Sequence, residues 1–195
     1  MLDDNDMVTN LTELLDREKI RHVLARYCRG QDRQDMDALV SDYWPDGWDD
    51  HGMLEGTPEQ FGEKVAQNWP ALKMEHMLGQ SYIEVHGNFA NAETYFFNHN
   101  RLGEGQDQTD TLMGGRYNDR LEKRGDEWRI LHRTVVYDWY RSLGPSAPWD
   151  DSLYSFGAMP ARNYGHTSQD YSWELYANHP LRKGDAYPRG PRTGR

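Results

Sequence analysis

The sequence has a single cysteine, Cys28, so no intrachain disulfide can form. Apolar residues are scarce, at 36%, and no apolar run approaches the length of a membrane span. The opening stretch MLDDNDMVTN is acidic and lacks the apolar centre of a secretory signal. A soluble cytoplasmic protein with no membrane partner is therefore expected. The chain has no phosphate-binding glycine loop, no GxSxG and no Cys/His set at zinc spacing. Nucleotide, serine-nucleophile and structural-zinc chemistry fall away, and neither a metal nor a cofactor is expected. Positive charge is in deficit, with a formal net charge of -10. Such a body repels phosphate backbones, so nucleic acid is not an expected partner. The exception is a basic end, Arg182, Lys183, Arg189, Arg192 and Arg195, which reads as solvated because Gly and Pro dilute it.

What the chain does have is aromatic residues, 7 Trp and 12 Tyr among them, enough for a core of large side chains. Residues 1–8 read as a disordered start. Leu11, Leu14, Leu15, Ile20, Val23, Leu24 and Tyr27 then follow helical spacing, with Gly30 as the expected stop. A second helix fits 35–44, closed by Pro45, and 47–54 fits a short strand. Thr57-Pro58-Glu59-Gln60 combines an N-cap, a first-turn proline and a capping-box glutamine. Further on, 80–86, 91–102, 110–122 and 127–141 are rich in β-branched and aromatic residues. Gly87-Asn88, Gly103–Gln108 and Arg124-Gly125-Asp126 separate them, which predicts an antiparallel meander. Helices first and strands later predict an α+β domain over 9–141, with a curved sheet on three N-terminal helices. The extension 142–195 carries six of the nine prolines and enough Trp, Tyr and Phe to dock in part on its own domain or a partner.

With other chemistries set aside, His and Asp remain. Asp32 is expected at a helix-to-loop junction, where a partly buried carboxylate can orient an imidazole. His76 and His99 lie at or in predicted strands, and His51 in the short one. A shared Asp/His site competes with plain capping and sheet roles for these residues. Tyr43, Trp44, Trp69 and Phe97 are candidate walls for a flat substrate, and ordinary core packing is the competing role for each.

Three segments carry a family resemblance: IRHVLARYCRGQDRQDMD at 20–37, EHMLGQSYIEVHGNFANAETYF at 75–96, and GGRYNDRLEKRGDEWRILHR at 114–133. Together they resemble the SnoaL-like family of the nuclear transport factor 2-like, or cystatin-like, superfamily. That resemblance implies a cone of bent sheet and helices around a pocket, and self-association as a homodimer or homotrimer. Among enzymes of this fold, QDRQDMD, HMLGQ and Asn98-His99-Asn100 are similar to scytalone dehydratase. The match implies catalytic roles for Asp32, His76 and His99, with His99 as the partner of Asp32. His51 and Gln31 stand where that enzyme family has tyrosines. Bile-acid dehydratases imply a catalytic Tyr27, and hexachlorocyclohexane dehydrochlorinase implies Arg133 as a substrate contact. The function implied is a cofactor-independent lyase acting on a hydroxylated aromatic or polycyclic small molecule. An isomerase or cyclase on a steroid- or polyketide-like substrate, a non-catalytic ligand-binding or assembly domain, and an accessory subunit of a ring dioxygenase are the competing functions.

Overall fold

The computed structural model describes residues 4–147, 160, 163, 165 and 169–177. The chain opens with helices α1 (Asp4–Arg33) and α2 (Met36–Ser41), followed by strands β1 (Tyr43–Asp50) and β2 (Glu55–Gly56). Helix α3 (Pro58–Ala66) leads into four long strands, β3 (Leu72–His86), β4 (Phe89–Leu102), β5 (Thr109–Arg124) and β6 (Glu127–Pro145), and a short helix α4 (Tyr171–Ala177) follows. One six-stranded sheet has the order β2-β1-β6-β5-β4-β3. Strands β3 to β6 form the expected antiparallel meander, while β1 joins β6 in parallel. Register shifts between Leu78 and Ser81, between Gly114 and Gly115, and between Arg120 and Leu121 let the long strands bend. At Gly115 an added Cβ would lie 2.1 Å from the Val136 carbonyl oxygen, so this bulge admits only glycine. Among the described residues no helix is long and apolar enough to cross a membrane.

Helix α1 differs from its expected limits at both ends. It starts at Asp4, so residues 4–8 are helical rather than disordered. Asp6 falls in its first turn, where negative charge suits the helix dipole. It also runs through Gly30, which is not a stop. A Cβ there would lie 2.7 Å from the Leu39 backbone nitrogen, so Gly30 is where α2 crosses closely. The real stop is Gln34, at φ 57. Its N–H donates to the Gln31 carbonyl at 3.2 Å, and the Asp35 N–H donates to the Gly30 carbonyl at 2.8 Å. This double closure suits a left-handed residue just past a helix. The Gln34 side chain holds the bend by donating to the Trp69 and Leu72 carbonyls at 2.9 and 3.3 Å. Asp35, rather than Asp32, caps α2, accepting from the Ala38 N–H at 3.0 Å. The capping box at Thr57 and Gln60 forms as the sequence predicts.

The core gathers Ile20, Val23, Leu24 and Tyr27 of α1 with Leu39, Phe61, Ile83, Phe96, Tyr117, Leu121, Trp128 and Ile130. Asp16 ties α1 to the last hairpin, accepting from Trp128 Nε1 at 2.8 Å and Lys123 Nζ at 3.0 Å. Near the other end Arg33 pairs with Asp170 at 3.3 Å, and the Arg29 guanidinium lies over the Trp173 and Tyr176 rings. The rest of the aromatic extension, expected to dock in part, lies mostly outside the described residues.

Asp42, the C-cap of α2, is wholly buried. One carboxylate oxygen meets Arg26, while Oδ2 has no hydrogen-bond partner among the described residues. Burial outweighs the Arg26 charge and pushes the pKa up to about 7. A carboxyl raised in the native state binds its proton more tightly there than in the unfolded chain. Its stabilising contribution is therefore full below about pH 4 and is lost as pH rises toward about 7. Asp42→Asn is expected to escape this loss. The urea midpoint of Asp42→Asn, minus that of the parent, should rise between about pH 5 and about pH 8. A flat difference would show that Asp42 titrates normally.

Candidate functional site

A cavity of about 280 Å³ lies between α1, α3 and the inner face of the sheet. Its wall is largely apolar, with Phe61, Val65, Met74, Phe96, Met113 and Val135. The polar groups facing it are Gln31, His51, His76, Asn98, Asn100 and Tyr137.

His76 enters from β3 and Asp32 from the last turn of α1. Asp32 Oδ1 lies 2.6 Å from His76 Nδ1, and the two carboxylate oxygens also accept from the His76 backbone N–H at 3.2 and 3.0 Å. A carboxylate that accepts from Nδ1 fixes the proton there and leaves Nε2 with its lone pair for the cavity. The His76 side chain is 3% exposed, so the ring is held in a mostly dry wall.

A second pair faces the same cavity. The β1 residue Asp49 is wholly buried, and His51 stands just past that strand. Asp49 meets His51 Nδ1 through one oxygen and the Tyr43 hydroxyl through the other. The His51 ring stacks on Phe61 at 4.5 Å between centroids. Its Nε2 lies 3.5 Å from the Tyr27 hydroxyl, which accepts from Gln31 Nε2 at 2.8 Å. Burial, reinforced by Asp49, pushes the Tyr27 phenol well above its usual range, so it stays neutral.

Beneath this pair lies Arg133, with no exposed surface. It donates to both oxygens of Asp119 at 2.6 and 2.8 Å, and its guanidinium lies 4.1 Å from the Tyr27 and Tyr117 ring centres. Burial would lower its pKa, but Asp119 together with Tyr43 and Tyr27 more than offsets that and holds Arg133 charged. Among the described residues, no three His, Cys, Asp or Glu side chains gather into a group that could hold a metal ion.

Several expected site residues are placed elsewhere. His99 does not meet Asp32. On β4 the inward set is Ala90, Ala92, Thr94, Phe96, Asn98 and Asn100. His99 and Phe97 therefore point to the outer face, where His99 lies 3.5 Å from Asp110 and half-exposed Phe97 leans on Trp139. Trp44 is also away from the cavity. It donates to the Glu122 carbonyl and lies beneath the Arg124 and Arg129 guanidiniums. Arg133, for which the resemblance implied a substrate contact, faces inward but contacts Asp119 and two tyrosine rings rather than the cavity. Tyr43 does not line the cavity either, since its hydroxyl is spent on Asp49. Trp69 packs against the core beside the wall residues Asn68 and Leu72. Tyr27 lies behind His51, wholly buried.

Asp49 and the two asparagines escaped the sequence reading. Asp49 had a signal: in an extended chain residues two apart share a side, so Asp49 and His51 were a ready pair. Asn98 and Asn100 had none, because the parity of β4 is hidden by the aromatic residues on its outer face.

A model of the SnoaL-like domain matches residues 12–134. No curated protein matches the sequence. Among solved structures, a hexachlorocyclohexane dehydrochlorinase (LinA) type 2 superposes with a TM-score of 0.64 at 20% identity, covering 71% of this chain and 97% of that one. LinA-type3 from Novosphingobium barchaimii gives 0.62 at 19% identity, covering 69% and 94%. A candidate scytalone dehydratase from Novosphingobium aromaticivorans gives 0.62 at 15% identity, covering 68% and 90%. At these identities the likeness is one of fold.

Proposed function

The chain belongs to the SnoaL-like family, and from that premise we propose that it is a cofactor-independent lyase acting on a hydroxylated aromatic small molecule. The observation that carries this reading is the pair of carboxylate-held imidazoles, Asp32–His76 and Asp49–His51, on one cavity. Elimination needs a base at carbon and an acid at the leaving oxygen. His76 Nε2 takes the proton as the C–H bond breaks. Protonated His51 gives its Nε2 proton to the departing hydroxyl as the C–O bond breaks, so an alkene and water result. Asp32 and Asp49 fix the two rings, and neutral Tyr27 backs His51. General acid–base work of this kind is worth about 10²–10⁴ in rate per group. The structural neighbours, a dehydrochlorinase and a candidate scytalone dehydratase, support elimination as the reaction class.

The cavity bounds the substrate. A dry protein cavity of about 150 Å³ takes up benzene, so about 280 Å³ suits one or two fused rings rather than a steroid skeleton. The decisive experiment incubates the protein with hydroxylated one- and two-ring compounds and follows product mass. Products lighter by one water support the lyase. Products of unchanged mass point to isomerisation, and no conversion of any compound would sink both enzymatic readings.

A further inference from the structure

Asn98 sits on β4 directly across from His76 on β3. It is 8% exposed and lines the cavity, and its Oδ1 is enclosed with no hydrogen-bond partner among the described residues. Its flanking neighbours on the inner face do not serve it. Phe96 and the cross-strand Met113 on β5 offer no donor, and Asn100, two residues along, makes no hydrogen bond to it. A buried carbonyl oxygen left unpaired is a standing cost to the fold, and native proteins rarely leave one without a ligand or water to meet it. None of the other polar wall groups, His76 and Asn100 included, donates to this oxygen, so the missing partner comes from what fills the cavity.

We propose that Asn98 is a specificity-determining residue: its Oδ1 accepts a hydrogen bond from a hydroxyl on the bound ring, anchoring that hydroxyl beside His76. This deepens the lyase reading and rests on it only in assuming an organic ligand in the cavity. An acceptor in a dry wall selects by what it rejects. A ligand that puts a methyl group in place of the hydroxyl leaves Oδ1 buried and unpaired, whereas the hydroxyl satisfies it. The anchored hydroxyl is distinct from the leaving one, which His51 protonates, so the substrate class becomes a ring carrying two oxygens: one retained at Asn98 and one lost.

The test measures binding rather than turnover, so its failure is separable from failure of the lyase reading. Equilibrium dialysis of the full chain against β-naphthol and β-methylnaphthalene gives a ratio of affinities. The two ligands match in shape and differ at hydroxyl and methyl. That ratio is expected to fall roughly ten- to a hundredfold in Asn98→Leu. Asn98→Asp, which keeps an acceptor, should preserve more of the preference for the hydroxyl. Asn98→Ala provides the same comparison should the leucine variant not fold. An unchanged ratio in the leucine or alanine variant overturns the proposal. Absence of β-naphthol binding to the parent protein overturns it as well.

Discussion

Asp32→Asn is expected to lower kcat about 10³–10⁴-fold on a compound that the parent protein dehydrates. The reason is the tautomer of His76. In the parent, Asp32 accepts from Nδ1 at 2.6 Å and from the His76 backbone N–H. The asparagine NH₂ cannot take the Oδ2 place, which lies 3.0 Å from the His76 backbone N–H, without setting donor against donor, so it takes the Oδ1 place and faces Nδ1. Nδ1 must then accept, the ring proton moves to Nε2, and the lone pair that faced the cavity is gone. KM should change far less than kcat, because the cavity wall is untouched. Circular dichroism should match the parent. Turnover within a few-fold of the parent would remove His76 from the reaction.

Arg133→Met carries the second large effect, and it falls on stability. Arg133 and Asp119 are both wholly buried in a paired geometry. Removing the guanidinium strands a carboxylate among Tyr27, Tyr117 and the sheet. Breaking a buried pair in this way costs about 3–5 kcal/mol. For a chain of this length that lowers Tm by roughly 6–20 °C. The double variant Arg133→Met with Asp119→Leu should recover much of the loss, since apolar replacements of similar volume often match a buried ion pair. If the single variant melts with the parent, the pair is not holding the core together.

How far the sequence revealed this site depends on the element. The capping box at Thr57 was legible because its chemistry is local. So were the turns at Gly87-Asn88 and Arg124-Gly125-Asp126, between strands that end and restart around them. The first half of β3 was not. Leu72–Gly79 is rich in Leu, Met, Lys and Glu, which favour helix, and only pairing with β4 makes it a strand. The same strand explains the largest error. The Asp32 partner was expected on β4 and is found on β3, because the odd-numbered residues of β4 face outward. Aromatic residues on that outer face, Tyr95 and Phe97, erase the contrast that alternation needs. Arg133 was read as inward from resemblance alone. The shift between Arg120 and Leu121 brings Arg133 and Val135 onto the same side as Trp128 and Ile130, and no local pattern announces it.

The parallel seam between β1 and β6 should give the two halves of the site different lifetimes. His76 is carried by a strand with a long antiparallel partner, whereas the Asp49–His51 arm hangs on β1, near the sheet's edge, with only the two residues of β2 outside it. That seam joins segments far apart in sequence, so it is late to form during folding. It can also open as a unit while the meander stays closed. Amide hydrogen exchange should therefore be faster along β1 than along β4 and β5. In the proposed mechanism each such opening would withdraw His51 and leave His76 in place, so the fraction of competent molecules would follow the closure of one short strand.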